Sequence, residues 1–245
     1  MSVQIPATAY NFPCSGDLKG RETAIVVIDM QVDFCAEGGW VGALTPSLAI
    51  MREPIEPIAR VIAAGRACGM TIIYTREGHR SDLADLSAVK QFRSRLAWDG
   101  AGVGDLTPAG RVLIRGEPGH EIIPELAPLP HDPIIDKVGS GCFYATEMEH
   151  ILRQRGIRNL IFTGVTTECC VHTSIREASD RGFDNLLLED CTAAVTYELK
   201  EMAVSMIRDP STLFGTVSTS DAVLETLAGL ARREAPIAPE PVGAS

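Results

Sequence analysis

The sequence predicts an α/β protein with three layers (α/β/α), in which a doubly wound sheet of six mainly parallel strands lies between two layers of helices. Short apolar runs alternate along the chain with segments of helical periodicity, which is the pattern of successive βαβ units. The first run, residues 23–28, is continuous and rich in β-branched residues, as expected of a strand buried on both faces. A chain of 245 residues is also long enough to bury the core of one large domain.

The remaining elements are predicted in chain order from the same two patterns. Strands are predicted at 71–75, 134–137, 159–163, 185–188 and 215–218, and helices at 55–67, 146–155, 170–181, 197–208 and 221–232. Gly65 and Gly69 mark the end of the first helix, and Gly164 separates the fourth strand from the helix after it. Thr146 is in position to cap the second helix, with Glu149 at the capping-box position.

The segments outside these elements define the predicted domain limits. Residues 76–120 are rich in Gly, Asp and Arg, and we expect a long excursion there with some short helix. Residues 1–20 contain prolines and a glycine and are predicted to be an irregular arm. Residues 21–232 then form a single domain, and the proline-containing segment 233–245 is predicted to be a mobile tail.

Composition and charge narrow the classes of function. Hydrophobic residues make up 45% of the chain and charged residues 22%, which is ordinary for a globular protein. The net charge of −10 and the isoelectric point of about 5.0 disfavour nucleic acid and anionic membranes as partners. The sequence has no apolar stretch of membrane-spanning length and no signal-peptide pattern at its start, so a cytoplasmic protein is expected.

The seven cysteines are an odd number and are scattered, which favours reduced thiols over a disulfide framework. They show no Cys-x-x-Cys spacing, so we expect no structural zinc site. Two of them, Cys169 and Cys170, are adjacent and open a helix directly after a strand. The N–H groups at a helix start favour a thiolate, although most free cysteines are small buried hydrophobes.

Three residues of different chemistry stand at the carboxyl ends of predicted strands, namely Asp29, Lys137 and Cys170. In a doubly wound sheet these ends lie at one edge, where ligands bind. A thiolate is a nucleophile, a carboxylate can move its proton, and an ammonium group lowers the thiol pKa. Each residue alone has a structural interpretation, such as a loop cap or an ion pair. The coincidence of the three favours a catalytic site.

The chain resembles the isochorismatase-like cysteine hydrolases. The segments that carry the resemblance are 26–34 (VVIDMQVDF), 135–137 (IDK) and 164–171 (GVTTECCV). The resemblance extends from about residue 20 to 230. Within that family the chain is most similar to the biuret hydrolases. The segments shared with that group are 75–86, 115–119, 176–182 and 187–191. Ureidoacrylate hydrolases and N-carbamoylsarcosine amidohydrolases are more distant relatives.

This resemblance implies a catalytic triad of Asp29, Lys137 and Cys170, with Cys170 as the nucleophile because it precedes Val171. It also implies a cis peptide between Val165 and Thr166. The N–H groups of Thr166 and Cys170 would then form an oxyanion hole. The implied reaction splits a linear amide of a small ureide through a thioester and releases ammonia. A homo-oligomer, either a dimer or a tetramer, is also implied.

No cofactor is predicted. Nicotinamidases of the superfamily hold a metal with an Asp-x-His motif, whereas the corresponding segment 76–80 (REGHR) offers only His79. A metal and nicotinamide are therefore not expected, and His79 is interpreted as a loop or subunit-contact residue. His172, two positions after the nucleophile, is interpreted as structural.

Several residues near the strand ends are candidates for substrate binding. These are Phe34, Trp40, Arg76, Glu77, Phe143, Tyr144 and Glu168. The aromatic ones are equally suited to an ordinary core or interface. Arg76 and Glu77 could instead pair with each other, and Glu168 could be a surface side chain.

The resemblance predicts biuret as the substrate, but one residue departs from the pattern of the biuret hydrolases. The biuret hydrolases carry a substrate-contacting Gln four residues before a Phe-Gly pair, and here that position is Pro210 before Phe214. Triuret, ureidoacrylate and N-carbamoyl amino acids are therefore alternatives. Three other classes also stay open, namely a vinyl-ether hydrolase like isochorismatase, a non-catalytic binding protein, and a thiol redox protein.

Overall fold

The computed structural model describes residues 2–44, 47–97 and 101–234. Its strands are β1 (Thr23–Ile28), β2 (Thr71–Glu77), β3 (Leu106–Thr107), β4 (Gly110–Arg111), β5 (Ile134–Lys137), β6 (Asn159–Val165), β7 (Asp184–Ala193) and β8 (Thr216–Ser218). Six of them form one parallel sheet in the order β5-β2-β1-β6-β7-β8. The predicted doubly wound sheet is confirmed, and every pairing in it is parallel. Strands β3 and β4 form a separate antiparallel pair.

Helices connect the strands and cover both faces of the sheet. They are α1 (Val32–Cys35), α2 (Trp40–Leu44), α3 (Leu48–Arg52), α4 (Ile55–Ala67), α5 (Ala88–Ala97), α6 (Met148–Gln154), α7 (His172–Asp180), α8 (Tyr197–Arg208) and α9 (Ser220–Glu234). Short 3₁₀ turns lie at Gly20–Glu22, Pro118–His120, Pro124–Leu126 and Pro210–Thr212, and a π-helical turn at Thr167–Val171 precedes α7. None of these helices, within the described ranges, is long and apolar enough to span a bilayer.

Two hydrophobic cores lie on opposite faces of the sheet, because side chains alternate along each strand. In β1, Ile25 and Val27 pack into the core under α4 and α9, whereas Val26 and Ile28 pack into the core under α6, α7 and α8. All six residues of β1 are buried, as the continuous apolar run predicts. The fold is therefore an α/β/α sandwich.

The observed elements differ from the predicted ones mainly at their ends. Strand β2 continues to Glu77 and β6 to Val165, so both are two residues longer at the carboxyl end than predicted. The helix predicted from Cys170 begins earlier, with the π-helical turn at Thr167. The excursion 76–120 contains α5 and the β3–β4 pair.

The N-terminal arm packs on the sheet at β8. Thr8 and Val217 exchange both backbone hydrogen bonds, at 2.9 and 2.6 Å, and Ile5 and Phe12 are fully buried. The arm is irregular, as predicted, and it contributes to the core. Of the predicted mobile tail, residues 233 and 234 belong to α9 and residues 235–245 lie outside the described residues.

Candidate active site

The carboxyl edge of the sheet brings four ionisable side chains to one place. Asp29 directly follows β1, Glu77 ends β2, Lys137 ends β5 and Cys170 lies in the turn after β6. The four strands are neighbours in the order β5-β2-β1-β6. Parallel pairing sets Glu77 opposite Lys137 in register. The strand-end residues predicted to meet do meet, and Glu77 joins them.

Asp29 is held rigidly beneath this cluster. Its side chain is fully buried and its backbone lies in the left-handed region, with φ of +48°. The Thr75 hydroxyl donates a 2.6 Å hydrogen bond to Oδ1 of Asp29, and the Asp29 N–H donates back to Thr75. Burial raises the pKa of the Asp29 carboxyl, and the positive charge of Lys137 opposes that rise.

The Lys137 ammonium lies between two carboxylates. Its Nζ is 2.7 Å from Oδ2 of Asp29 and 3.1 Å from Oε2 of Glu77, and it donates to the Gly139 carbonyl at 3.0 Å. Burial acts against the charge, but Asp29, Cys170 and Glu77 together hold the pKa of Lys137 well above its ordinary value. The two carboxylates therefore favour the charged form of this buried lysine.

Glu77 connects the lysine to the thiol. The Cys170 Sγ donates to Oε2 of Glu77 at 3.4 Å, and the Lys90 ammonium of α5 donates to Oε1 at 2.6 Å. Burial alone would raise the pKa of Glu77, but Lys137 and Lys90 lower it to about 2. Glu77 is thus ionised, and it lies at the centre of the site.

The two adjacent thiols differ in their surroundings. Cys170 is buried. Its pKa is held well above the usual value by the Cys169 thiol beside it, by burial and by the Asp29 carboxylate. Cys169 is exposed and donates to the Ser140 hydroxyl at 3.5 Å. Hydrogen bonding to Cys170 and Ser140 lowers the pKa of Cys169 to about 7. These surroundings favour the thiol form of Cys170, whereas the position at a helix start favours a thiolate.

The backbone before the thiols has the implied geometry. The Val165–Thr166 peptide is cis, and Thr166 lines the cleft. Gly164 before it has φ of +100°, and a Cβ there would lie 2.0 Å from the Ile28 carbonyl oxygen. Only glycine allows β6 to approach β1 this closely. Thr166 therefore presents its backbone next to Cys170 at the start of the helical turn.

A cleft of about 540 Å³ opens above the thiols, within the range of about 300–1,000 Å³ typical of small-ligand sites. Phe34, Trp40 and Leu113 form an apolar wall of the cleft. The ring centroids of Phe34 and Trp40 are 6.2 Å apart. Helix α5 contributes a polar wall. The residues of α5 and its N-terminal flank in the lining are Ser87, Val89, Lys90, Arg93 and Ser94. Lys90 and Arg93 are not among the residues predicted from the sequence.

Four of the seven predicted substrate-binding side chains line this cleft, namely Phe34, Trp40, Glu77 and Glu168. The Glu168 carboxyl has one buried oxygen, Oε2, without a hydrogen-bond partner in the described residues. Burial raises the pKa of Glu168. Hydrogen bonds from Thr166 and the Val195 backbone act against that rise, and Glu168 lies in the cleft lining beside the thiols.

The structure places Arg76, a predicted substrate contact, outside the lining of this cleft. Successive side chains of a strand point to opposite faces, so Arg76 points away from the cleft that Glu77 faces. It forms ion pairs with Asp136 at 2.8 Å and with Glu121 at 3.0 Å. Arg76 holds the outer side of the sheet edge together.

The aromatic pair after Lys137 also lies outside the cleft. Phe143 is buried in the core beneath α6 and α7, where its ring centroid is 5.9 Å from that of Phe183. Tyr144 is 62% exposed and its ring lies against Gly139. Phe143 is therefore a core aromatic, which is one of the alternatives given above, and Tyr144 lies at the surface.

Neither His79 nor His172 is in the cleft lining. His79 is buried and its Nδ1 lies 3.2 Å from an Asp85 oxygen. His172 accepts a hydrogen bond from Arg176 and packs edge-on against Phe214.

Asp29, Glu77 and Cys170 offer ligand atoms within 4.8 Å of one another, as a metal site would. The Lys137 ammonium lies among them and supplies the positive charge.

The chain matches known proteins over most of its length. A model of the isochorismatase domain matches residues 23–222. The ureidoacrylate amidohydrolase RutB of Rhizobium rhizogenes is 31% identical, over 96% of this chain and 93% of the relative, and that of Agrobacterium fabrum is 31% identical over 82% and 88%.

Solved structures show the same arrangement of elements. A cysteine hydrolase from Pseudomonas syringae pv. phaseolicola has a TM-score of 0.73 at 26% identity, covering 91% of this chain and 98% of that one. An N-carbamoylsarcosine amidase from Thermoplasma acidophilum has a TM-score of 0.61 at 25% identity, covering 82% and 97%.

Proposed function

The chain belongs to the isochorismatase family of hydrolases, and we propose that Cys170 is the nucleophile of an amidohydrolase that removes ammonia from a small ureide. One observation carries the proposal. The Cys170 sulfur lies within 4.8 Å of Asp29 and Glu77 oxygens, around a buried Lys137 ammonium, at the floor of an open cleft. Relatives named as amidohydrolases and an amidase support amide hydrolysis.

Acylation begins with the transfer of the Cys170 proton to Asp29 as the sulfur attacks the carbonyl carbon. Asp29 is the stronger base of the two carboxylates, because its pKa is raised while that of Glu77 is lowered. The raised pKa of Cys170 favours proton transfer in step with attack. Lys137 keeps the cluster close to neutral while charge moves.

The N–H groups of Thr166 and Cys170 hold the oxyanion of the tetrahedral intermediate. The proton on Asp29 then moves to the leaving nitrogen, the C–N bond breaks, and ammonia departs from a thioester. A water gives its proton to Asp29 and adds to the thioester. The C–S bond then breaks and the sulfur regains a proton from Asp29, which restores the thiol.

Two kinds of ureide are favoured as the substrate. The sequence resemblance favours a biuret-like ureide. The curated relatives named as ureidoacrylate amidohydrolases favour an N-carbamoyl compound of the ureidoacrylate kind. Both present a terminal carbamoyl group, whose N–H groups need acceptors, and Glu168 is an acceptor in the cleft lining.

The test is ammonia release from biuret, triuret, ureidoacrylate, N-carbamoylsarcosine and nicotinamide. We expect release from at least one ureide by the native protein and by the Cys14→Ser control, which changes an exposed thiol away from the cleft. Cys170→Ser is expected to lose turnover while still binding the ureide in calorimetry. Equal turnover in Cys170→Ser contradicts the mechanism. No ammonia from any amide favours the vinyl-ether or non-catalytic alternatives.

A further inference from the structure

The apolar wall of the cleft is built around a buried carboxylate. Asp33 directly precedes Phe34 in α1, and its side chain is fully buried. The Leu113 N–H donates a 2.8 Å hydrogen bond to Oδ2 of Asp33, and the Trp40 backbone N–H donates to the same carboxylate. Asp33 is therefore connected to all three residues of the wall, to Phe34 through the chain and to the other two through hydrogen bonds.

Leu113 has a backbone conformation that leucine seldom adopts. Its φ of +50° lies in the left-handed region, which is unfavourable for a residue with a Cβ. Its N–H donates to Asp33, and its carbonyl accepts from the His79 N–H at 2.8 Å. Strained residues of this kind persist where their surroundings hold them, and they cluster at functional sites. Asp33 is one of the partners that hold Leu113 in the cleft lining.

The turn Pro118–His120 encloses the other side of the carboxylate. Gly119 lies so close that a Cβ there would be 2.3 Å from Oδ1 of Asp33. This oxygen is buried and has no hydrogen-bond partner among the described residues. Gly39, just before Trp40, also packs against α1, where a Cβ would lie 2.8 Å from the Asp33 Cα. The carboxylate is thus confined by shape on one side and by hydrogen bonds on the other.

Asp33 is charged at pH 8, although it is buried. Burial raises the pKa of its carboxyl to about 6, the hydrogen bonds from the Leu113 and Trp40 backbones act against that rise, and the negative charge of Glu117 adds to it. A buried charge with an unpartnered oxygen lowers folding stability. Hydrogen bonds to a charged acceptor are, however, stronger than neutral ones. This carboxylate therefore anchors two residues of the wall strongly, while it lowers the stability of the fold.

We propose that Asp33 is a positioning residue for substrate binding, which holds Phe34, Trp40 and Leu113 as a fixed apolar wall of the catalytic cleft. Cys170 and Glu77 line the same cleft. A ureide is planar, and its faces form no hydrogen bonds, so a face packs on such a wall. Asp33 acts through the wall and takes no part in bond breaking. The substrate rests on the proposed amidohydrolase function, whereas the order of the wall is measurable without substrate.

Asp33→Asn keeps the size of the side chain and removes its charge. Ammonia release from biuret and from ureidoacrylate is measured at pH 8. We expect the KM of the substrate that is turned over to rise by about 5- to 50-fold, because charged hydrogen bonds become neutral ones and the wall loosens. We expect kcat to change by less than about threefold, because Asp29, Lys137 and Cys170 keep their contacts.

The fluorescence of Trp40 reports on the wall directly. Trp40 is 5% exposed, and in a Trp98→Phe background it is the only tryptophan of the chain. Acrylamide, a neutral quencher, is expected to quench Trp40 at least about twofold more strongly in Asp33→Asn than in the parent, because a wall without its anchors opens more often.

Asp132→Asn is the matched control. Asp132 is also a buried carboxylate that accepts a backbone N–H, from Leu129 at 2.8 Å, and it lies outside the cleft lining. Its replacement is expected to lower stability in urea unfolding, while the KM and the quenching of Trp40 stay as in the native protein. The comparison separates positioning of the wall from a general loss of stability.

Gly119→Ala is a second variant, which keeps the charge of Asp33. The added Cβ would displace the carboxylate. A rise in KM and in the quenching of Trp40 is expected here too, and this variant decides the question if Asp33→Asn does not fold.

Three results are informative against the two proposals. An unchanged KM and unchanged quenching of Trp40 in folded Asp33→Asn or Gly119→Ala protein refute the positioning role. A loss of kcat at constant KM refutes it as well, because that result would assign Asp33 to the charge cluster. Absence of ammonia from both substrates in the native protein refutes the amidohydrolase, and the quenching of Trp40 then decides the role of Asp33 alone.

Discussion

Replacing Glu77 by Gln tests whether the second carboxylate is an integral part of the buried charge cluster. The carboxylate accepts from Cys170, Lys137 and Lys90, and its side chain is only 7% exposed. Glutamine keeps the shape and removes the charge. Both lysines then lose a carboxylate partner, and Lys137 retains only Asp29.

The size of the effect follows from the pKa. Burial acts to raise the pKa of Glu77, yet Lys137 and Lys90 lower it from 4.5 to about 2. That difference corresponds to about 3 kcal/mol of folding stability at pH 7. It agrees with the roughly 3–5 kcal/mol lost when one partner of a buried ion pair is removed.

The sign of the pH dependence is fixed by the direction of this shift. A folded pKa below the unfolded one gives stability that is present above about pH 4.5 and is lost as the pH falls toward 2. The stability difference between native protein and Glu77→Gln is therefore expected to be about 3 kcal/mol at pH 7 and about half of that near pH 3.

Urea unfolding followed by circular dichroism measures this difference. Glu125→Gln is the matched control, because Glu125 pairs with Arg52 at 2.6 Å while both side chains are about 40% exposed. That variant is expected to lose no more than about 1 kcal/mol. A loss below about 1 kcal/mol in Glu77→Gln at pH 7, or a loss that does not change with pH, refutes the reasoning.

Three further predictions concern the core and the thiols. Gly164→Ala is expected to destabilise the protein by at least about 2 kcal/mol in urea unfolding, because its Cβ would meet a β1 carbonyl oxygen at 2.0 Å. Phe162→Ala, in the fully buried centre of β6, is expected to lose about 3–5 kcal/mol, whereas Phe92→Ala, which is 63% exposed, changes stability by less than about 0.5 kcal/mol. Iodoacetamide at pH 7.5 is expected to label Cys169 before Cys170 in peptide mapping, since Cys169 is exposed with a pKa of about 7 and Cys170 is buried with a raised pKa. Faster labelling of Cys170 would contradict that order.

The sequence sufficed for the sheet because its strands are short apolar runs bounded by polar residues and glycine. Helix α5 could not be located within 76–120. Val89, Phe92 and Leu96 are exposed on it, so its apolar residues do not mark a face packed on the core. Its orientation follows from the Lys90–Glu77 pair, which joins residues from two separate segments.

For the site, strand ends were the useful guide. Asp29, Lys137 and Cys170 could be brought together because parallel strands end at one edge. Glu77 was named only as a substrate contact, because β2 was predicted to stop at 75 and extends to 77. Because β2 extends through residue 76, the alternation of side chains along the strand places Arg76 on the face opposite to Glu77.

The arm at the start of the chain shields the protein from uncontrolled strand pairing. β8 has three residues and borders the sheet on one side, and an open border strand offers its free N–H and C=O groups to other molecules. Thr8 occupies that border through Val217, while Ile5 and Phe12 fill the hydrophobic space beside it. Removing the first fifteen residues would uncover the border strand β8 and the hydrophobic space that Ile5 and Phe12 fill, and would favour aggregation.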